Sequence, residues 1–294
     1  MKILITGSNG LLGQKIVEQC IKRKLDFLAT SKGENRNPNC SQKNYQPLDI
    51  SNREEIVSVL KIYSPTHIIN TAAVTNVDYC ESNIEECQKV NVYAVRLLLE
   101  GAIQNNCHLI QLSTDFVFDG EDGPYKETDL VNPLSVYATS KADSEKLLIE
   151  SNYKNWSILR TIIVFGQGEN LSRSNIVLWA KSALEKKQTL TIVNDQFRAP
   201  TWAADLAWAC IKTSELNAKG VFHISGPETF SIFDLVKRIG LFYGLSIEHV
   251  KPIKSVKLDQ AAKRPPRTGF ILDKAKTVLG YNPKTLEQSL KEIH

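Results

Sequence analysis

KILITGSNGLLG, residues 2–13, reads as a β-strand that runs straight into a glycine-rich turn and then a helix. Ile3, Leu4 and Ile5 make a short aliphatic run, and Gly7, Gly10 and Gly13 follow in GxxGxxG spacing. Each glycine has a physical reason: Gly7 allows a tight turn, Gly10 lets backbone approach a pyrophosphate, and Gly13 permits close helix–sheet packing. The helix expected over 11–22 points its positive end and free N–H groups at phosphate. Such a pattern means little alone. Ending a strand and opening a helix in the first βαβ unit, it has the context that a dinucleotide site requires.

Outward from this stretch, short aliphatic runs alternate with helical periodicity. Strands are expected at 27–30, 45–50, 67–72, 108–113 and 157–165, and helices over 52–63, 85–105 and 137–151. Strands separated by helices of this length form parallel βαβ units, so the fold class is α/β, a doubly wound parallel sheet of Rossmann type. Past Gly166 the rhythm loosens. Helices are expected near 176–187, 203–213, 232–243 and 286–293, with short strands at 190–193 and 221–224 and a loop over NDQFRAPT (194–201). The expected division is a dinucleotide-binding part over 1–165 and 199–225, and a smaller interleaved substrate-binding lobe over 166–198 and 226–294.

Bulk composition narrows the function classes. Thirty-six Lys and Arg against 32 Asp and Glu leave a formal charge of +4, interleaved along the 294 residues, which does not suit a nucleic-acid binder. No apolar run approaches the ~18 residues of a membrane span, and the N-terminal run is too short for a signal peptide. Six cysteines without a CxxC pair and five scattered histidines form no metal constellation. Reduced core thiols point to the cytoplasm.

The ends of the other strands bear on the dinucleotide. Asp49 and Ile50 close the third strand, where a carboxylate and an apolar residue can hold an adenine; Asp49 can equally cap the helix that follows. Small residues at 70–73 leave room for a cofactor. The second strand ends Ala29-Thr30-Ser31-Lys32, with no carboxylate until Glu34. Hydroxyls and an ammonium suit a 2′-phosphate better than a bare ribose diol, so NADPH is expected over NADH, although Lys32 can also be a solvated loop charge.

Tyr137 and Lys141 stand four residues apart, hence on one helical face. A phenol with a free pKa of ~10 is a poor acid–base group at neutral pH, and a neighbouring ammonium is expected to lower it. Ser113-Thr114 ends the fifth strand, where a hydroxyl can face the same pocket.

TGxxGxxG and the ordered set Thr114, Tyr137, Lys141 resemble the extended short-chain dehydrogenase/reductases. More narrowly, NVDYCE (76–81), STDFVFDG (113–120), NDQFRAPT followed by Asp205-Leu206-Ala207, and RPPRTGF (264–270) resemble dTDP-4-dehydrorhamnose reductases over nearly the whole chain. The resemblance implies NADPH-dependent reduction of the C4 ketone of a nucleotide-linked 6-deoxy-4-keto-hexose, giving dTDP-L-rhamnose. It implies that Tyr137 is the proton donor, that Lys141 binds the nicotinamide ribose and tunes Tyr137, and that Thr114 bonds the keto oxygen with Asp115 near the sugar. It further implies pyrophosphate contacts from Gly10, Leu11 and Leu12, an adenosine-ribose contact from Thr30, and cofactor contacts from Ala73, Val74 and Thr75. Arg264 is expected to reach the nucleotide, or else to be a solvated charge in a basic run. A homodimer and a Mg²⁺ ion are compatible with the resemblance, and neither is encoded in a readable motif.

The chain departs from the family's pattern at two positions: Phe116 where Tyr is usual, and Ile163, a candidate sugar contact, where Trp often stands. Phe116 also lacks the acid that a dehydratase of this superfamily needs, and Ser113-Thr114-Asp115 differs from the Ser-Ser-Ala-like pattern of 4-epimerases. Two alternatives stay open. One is a reductase or epimerase of another sugar nucleotide. The other is a non-catalytic NADP-binding regulatory subunit resembling the β subunit of methionine adenosyltransferase.

Overall fold

In the computed structural model, which describes residues 1–293, the opening aliphatic run is buried on both faces, as a central parallel strand requires. The first half of the chain alternates strand and helix: β1 (Lys2–Thr6), α1 (Leu11–Lys22), β2 (Asp26–Ser31), β3 (Tyr45–Pro47), α2 (Arg53–Tyr63), β4 (His67–Asn70), α3 (Val77–Ser82), α4 (Ile84–Gln88), α5 (Ala94–Asn105), β5 (His108–Thr114), α6 (Val136–Ile149) and β6 (Trp156–Thr161). The second half adds β7 (Val164–Phe165), α7 (Ile176–Glu185), β8 (Leu190–Val193), β9 (Phe197–Arg198), β10 (Thr201–Trp202), α8 (Ala203–Leu216), β11 (Gly220–Ile224), β12 (Phe230–Ser231), α9 (Ile232–Phe242), β13 (Val250–Ile253) and α10 (Leu286–Leu290).

Seven strands form one parallel sheet in the order β11-β6-β5-β4-β1-β2-β3. This is a doubly wound sheet whose order reverses beside β1, and such folds hold ligands at the carboxyl ends of the strands at that switch point. One face packs α1 and α8 through Ile16, Val17, Cys20, Leu206 and Ile211. The other packs α2 and α5 through Ile56, Leu60, Val95 and Leu98. A third core joins α7, α9, β8, β13 and α10 through Val177, Leu184, Ile192, Leu235, Ile239 and Leu290. Among the described residues, no helix is long and apolar enough to cross a membrane.

Three expectations change. The helix expected over 85–105 is interrupted by a π-helical turn, Lys89–Tyr93, which aims Asn91 inward. The side chain of Asn91 accepts from the N–H of Val74 (2.8 Å) and donates to its carbonyl (3.0 Å) and to the Ser140 hydroxyl (3.0 Å). These partners explain a break that aliphatic periodicity cannot report. The strand expected over 157–165 stops at Thr161, because Ile163 takes φ +35° and the chain leaves the sheet to pair β7 with β10. Leu272, Ala275, Leu279 and Tyr281 fell in the expected lobe, yet they pack with α1 and α8 in the core of the sheet. Their apolar side chains complete that face beside Phe222 of β11.

Candidate active site

The carboxyl ends of the strands open into a cleft of about 650 Å³. At its floor, Gly7 and Gly13 are sterically required. A Cβ at Gly13 would lie 2.4 Å from the Gly7 carbonyl oxygen, and one at Gly7, whose φ is +71°, would lie 2.7 Å from the Ala72 nitrogen. The N-cap of α1, Gly10, brings no side-chain acceptor, so the first-turn N–H groups have no capping side chain. Gly10, Leu11, Leu12 and Gly13 line the cleft. An anion is the partner such a helix start takes.

Asn9 ties the loop after β2 to this floor. Its N–H donates to the Ser31 hydroxyl (3.1 Å), its amide donates to the Glu34 carbonyl (2.8 Å), and its side-chain oxygen accepts from the Arg36 N–H (2.8 Å). Thr30 is fully buried and its hydroxyl donates to the Ile5 carbonyl (3.0 Å), so its side chain serves the sheet. Lys32 is exposed and lies 3.1 Å from the Asp49 carboxylate. Burial works against ionisation of Asp49, but hydrogen bonds from Ser51 and the Lys32 ammonium outweigh it and hold the carboxyl at about 2. The N-cap of α2 is Asn52 rather than Asp49. Ile50 packs in the core against α2 and α5. Ala73 and Thr75 line the cleft, whereas Val74 turns toward Cys80, Cys87 and Tyr137.

Thr114, Tyr137 and Lys141 meet on the wall of the cleft. Helix α6 starts at Val136 because Ser135 caps it, which places Tyr137 in the first turn and Lys141 one turn on. Phe116 packs edge-on to the Tyr137 ring at 6.2 Å. Burial pushes the phenol well above its ordinary value, with Asp115 adding to the effect and the neighbouring Thr114 hydroxyl opposing it. Lys141 donates to the Leu112 carbonyl (2.6 Å). Burial pulls its ammonium down to about 8, against Glu145 and Cys87. The expected lowering of Tyr137 by Lys141 is therefore not what governs the phenol here: desolvation does, and it keeps the proton in place.

Asp115 lines the cleft but is turned to the protein. Its carboxylate lies 3.5 Å from Nε of Arg198 and accepts from the hydroxyls of Thr268 and Thr114. Burial pushes Asp115 up despite the Arg198 guanidinium. Arg198 donates to the carbonyls of Phe197 and Pro265, both at 2.7 Å, and its guanidinium lies 5.3 Å from the Phe116 ring. The three distant segments 113–120, 194–201 and 264–270 thus share one buried network. The NDQFRAPT motif contains Arg198 but gives the residue no role of its own, because nothing local marks a buried partner as far back in the chain as Asp115.

Ile163 lines the cleft with strained backbone, since a β-branched residue rarely adopts φ +35°. Arg264 is not a lining residue. It forms a two-pronged pair with Asp78, at 3.1 and 2.6 Å, which joins segment 264–270 to NVDYCE. Arg267 stacks over Phe197 at 4.3 Å.

The residues present fit a dinucleotide. Besides the uncapped start of α1 and the glycine cradle, two buried hydroxyls at this site have no hydrogen-bond partner among the described residues: Ser113 Oγ on the cleft wall and Ser8 Oγ in the glycine turn. Buried polar atoms ordinarily find partners, so a ligand that supplies them is consistent with this floor.

The fold and site are those of a Rossmann-fold oxidoreductase, with a tyrosine–lysine pair beside a nucleotide cradle. The chain belongs to the family described as RmlD substrate binding domain, whose family model matches residues 1–294. It is 31% identical to dTDP-4-dehydrorhamnose reductase of Aggregatibacter actinomycetemcomitans, covering 99% of this chain and 98% of that protein. A solved structure of dTDP-4-dehydrorhamnose reductase from Bacillus anthracis in complex with NADP superposes with a TM-score of 0.85 at 25% identity, covering 100% of this chain and 99% of that one. The chain is also 28% identical to methionine adenosyltransferase 2 subunit beta of Danio rerio, over 90% of this chain and 80% of that protein.

Proposed function

We propose that this protein reduces the C4 ketone of a nucleotide-linked 6-deoxy-4-keto-hexose, and that dTDP-4-dehydro-L-rhamnose is its substrate, giving dTDP-L-rhamnose. The observation that carries the reading is the meeting of Tyr137 with Thr114 and Lys141 in a cleft whose floor is the uncapped start of α1. Bound NADPH would supply the hydride to C4. The Tyr137 phenol, held protonated by burial, delivers the proton to the C4 oxygen, and the Thr114 hydroxyl bonds that oxygen as charge develops on it. Lys141 holds the nicotinamide ribose. Gly10, Leu11 and Leu12 receive the pyrophosphate through backbone N–H groups, Ser31 and Lys32 the 2′-phosphate, and Asp49 and Ile50 border the adenine. Ile163 and Phe116 border the sugar, with Asp115 behind them. In this reading 166–198 and 226–294 form the substrate lobe, apart from Leu272, Ala275, Leu279 and Tyr281, which pack with the sheet. The likeness to the two reductases supports it. Six free, buried thiols support a reducing, cytoplasmic location.

The test is a panel of 4-keto-sugar nucleotides assayed with NADPH and NADH. Turnover with the dTDP-linked deoxy-keto-hexose and preference for NADPH are expected; turnover of a different keto sugar alone would sink the narrow assignment. A second reading, a regulatory subunit, follows from the methionine adenosyltransferase relative. Absence of turnover across the panel, with a synthetase co-purifying, would favour it.

A further inference from the structure

The cleft that would take two diphosphates, one from the cofactor and one from the sugar nucleotide, is poor in positive charge. Of its lining residues only Lys141 and Arg173 are cationic. The Lys141 ammonium is buried and committed to the Leu112 carbonyl. The arginines that the motifs singled out are engaged elsewhere: Arg264 on Asp78, Arg198 on Asp115, Arg267 over Phe197. Arg173 is different. It is exposed at the mouth of the cleft and makes no hydrogen bond or ion pair with any described residue.

The segment that carries it is fastened at both ends, and Ser172, Arg173 and Ser174 between them are exposed. At one end Gln14 donates to the Glu169 carbonyl (2.7 Å) and accepts from its N–H (2.9 Å), while Asn170 donates to the Arg36 carbonyl (3.2 Å). At the other, Asn175 donates to the Gly166 carbonyl (2.7 Å) and caps α7. Residues 171–174 span the interval across from the first turn of α1, where a Cβ on Gly168 would touch Leu11 and Leu171. Both ends of the strap are therefore fixed near the nucleotide floor, and its one cation overlooks it.

We propose that Arg173 is a binding residue for a diphosphate in this cleft, the strap delivering its guanidinium once the anion is seated. This rests on the reductase reading, in which both ligands are diphosphates. A guanidinium is suited to the task because its fork matches two phosphate oxygens at once.

Arg173→Ala and Arg173→Lys are compared with the parent protein in two titrations, NADPH against the free protein and dTDP against the protein saturated with NADP⁺. Arg173→Ala is expected to weaken one diphosphate by about tenfold or more, the value of a charge-assisted contact, with partial rescue in Arg173→Lys. Thymidine and 2′-AMP, which lack a diphosphate, should bind the parent and the variants alike. A loss confined to the dTDP titration assigns Arg173 to the substrate, and a loss confined to NADPH assigns it to the cofactor. Values within twofold of the parent in both titrations overturn the proposal. A parent protein that binds NADPH but not dTDP would sink the substrate assignment above while leaving Arg173 tested on the cofactor.

Discussion

The Asp115 carboxylate lies 3.5 Å from Nε of Arg198, and the two side chains are 3% and 2% exposed. Asp115 follows Thr114 of the cleft wall, and Arg198 sits in β9 beside Pro265 and Pro266, so this pair helps fasten the strand ends to segments 194–201 and 264–270. Removing one partner of a buried pair leaves the other charge uncompensated, at a cost of about 3–5 kcal/mol. Arg198→Met should lose that much in urea denaturation, and Asp115→Asn/Arg198→Met should recover at least half of it. A single variant within about 1 kcal/mol of the parent would show that the pair is not structural.

Tyr137→Phe keeps the ring against Phe116 and Cys87 and deletes the hydroxyl proposed as proton donor. In the keto-sugar assay kcat should fall ~10²-fold or more, with NADPH affinity nearly unchanged. Parent-like turnover would remove Tyr137 from the chemistry.

Lys141 gives the site a pH dependence of defined sign. Its folded value is about 8 against an ordinary 10.5, because burial disfavours the charge. As pH rises through 8 the folded protein loses the ammonium proposed to hold the nicotinamide ribose, so kcat/KM should decline on that limb. A guanidinium in place of this ammonium would stay charged, so Lys141→Arg should lack the decline whatever its absolute rate. Stability moves the other way. Between pH 8 and 10.5 the unfolded chain binds the proton that the folded chain has released, so unfolding becomes harder with rising pH, by up to about 3 kcal/mol. A flat stability profile over that interval would refute the assignment.

Lys32 is shared. Its ammonium is 3.1 Å from Asp49, at the position proposed to meet the 2′-phosphate. An ionised Asp49 both competes for the lysine and repels that phosphate. Asp49→Asn should therefore raise NADPH affinity several-fold relative to NADH, and Lys32→Ala should lower it relative to NADH. Equal effects on the two cofactors in either variant would show that the pair is only a surface contact worth less than about 1 kcal/mol.

The doubly wound sheet, the glycine floor and the placement of Tyr137 and Lys141 on one face of α6 were all legible in the amino-acid sequence. These are local matters: Gly7 to Gly13 must sit where a strand becomes a helix, and a spacing of four on α6 puts two side chains on one face whatever surrounds them. What the charges do was settled only by folding. Arg198 finds Asp115, Arg264 finds Asp78, Lys32 finds Asp49, and Arg173 finds no partner among the described residues. Folding also turned Ile163 out of the sheet and broke the long helix to aim Asn91 at Val74. The cause is common to all of these. Periodicity and propensity report which face of an element is apolar, whereas a polar partner's identity depends on segments up to 186 residues apart being brought together in space.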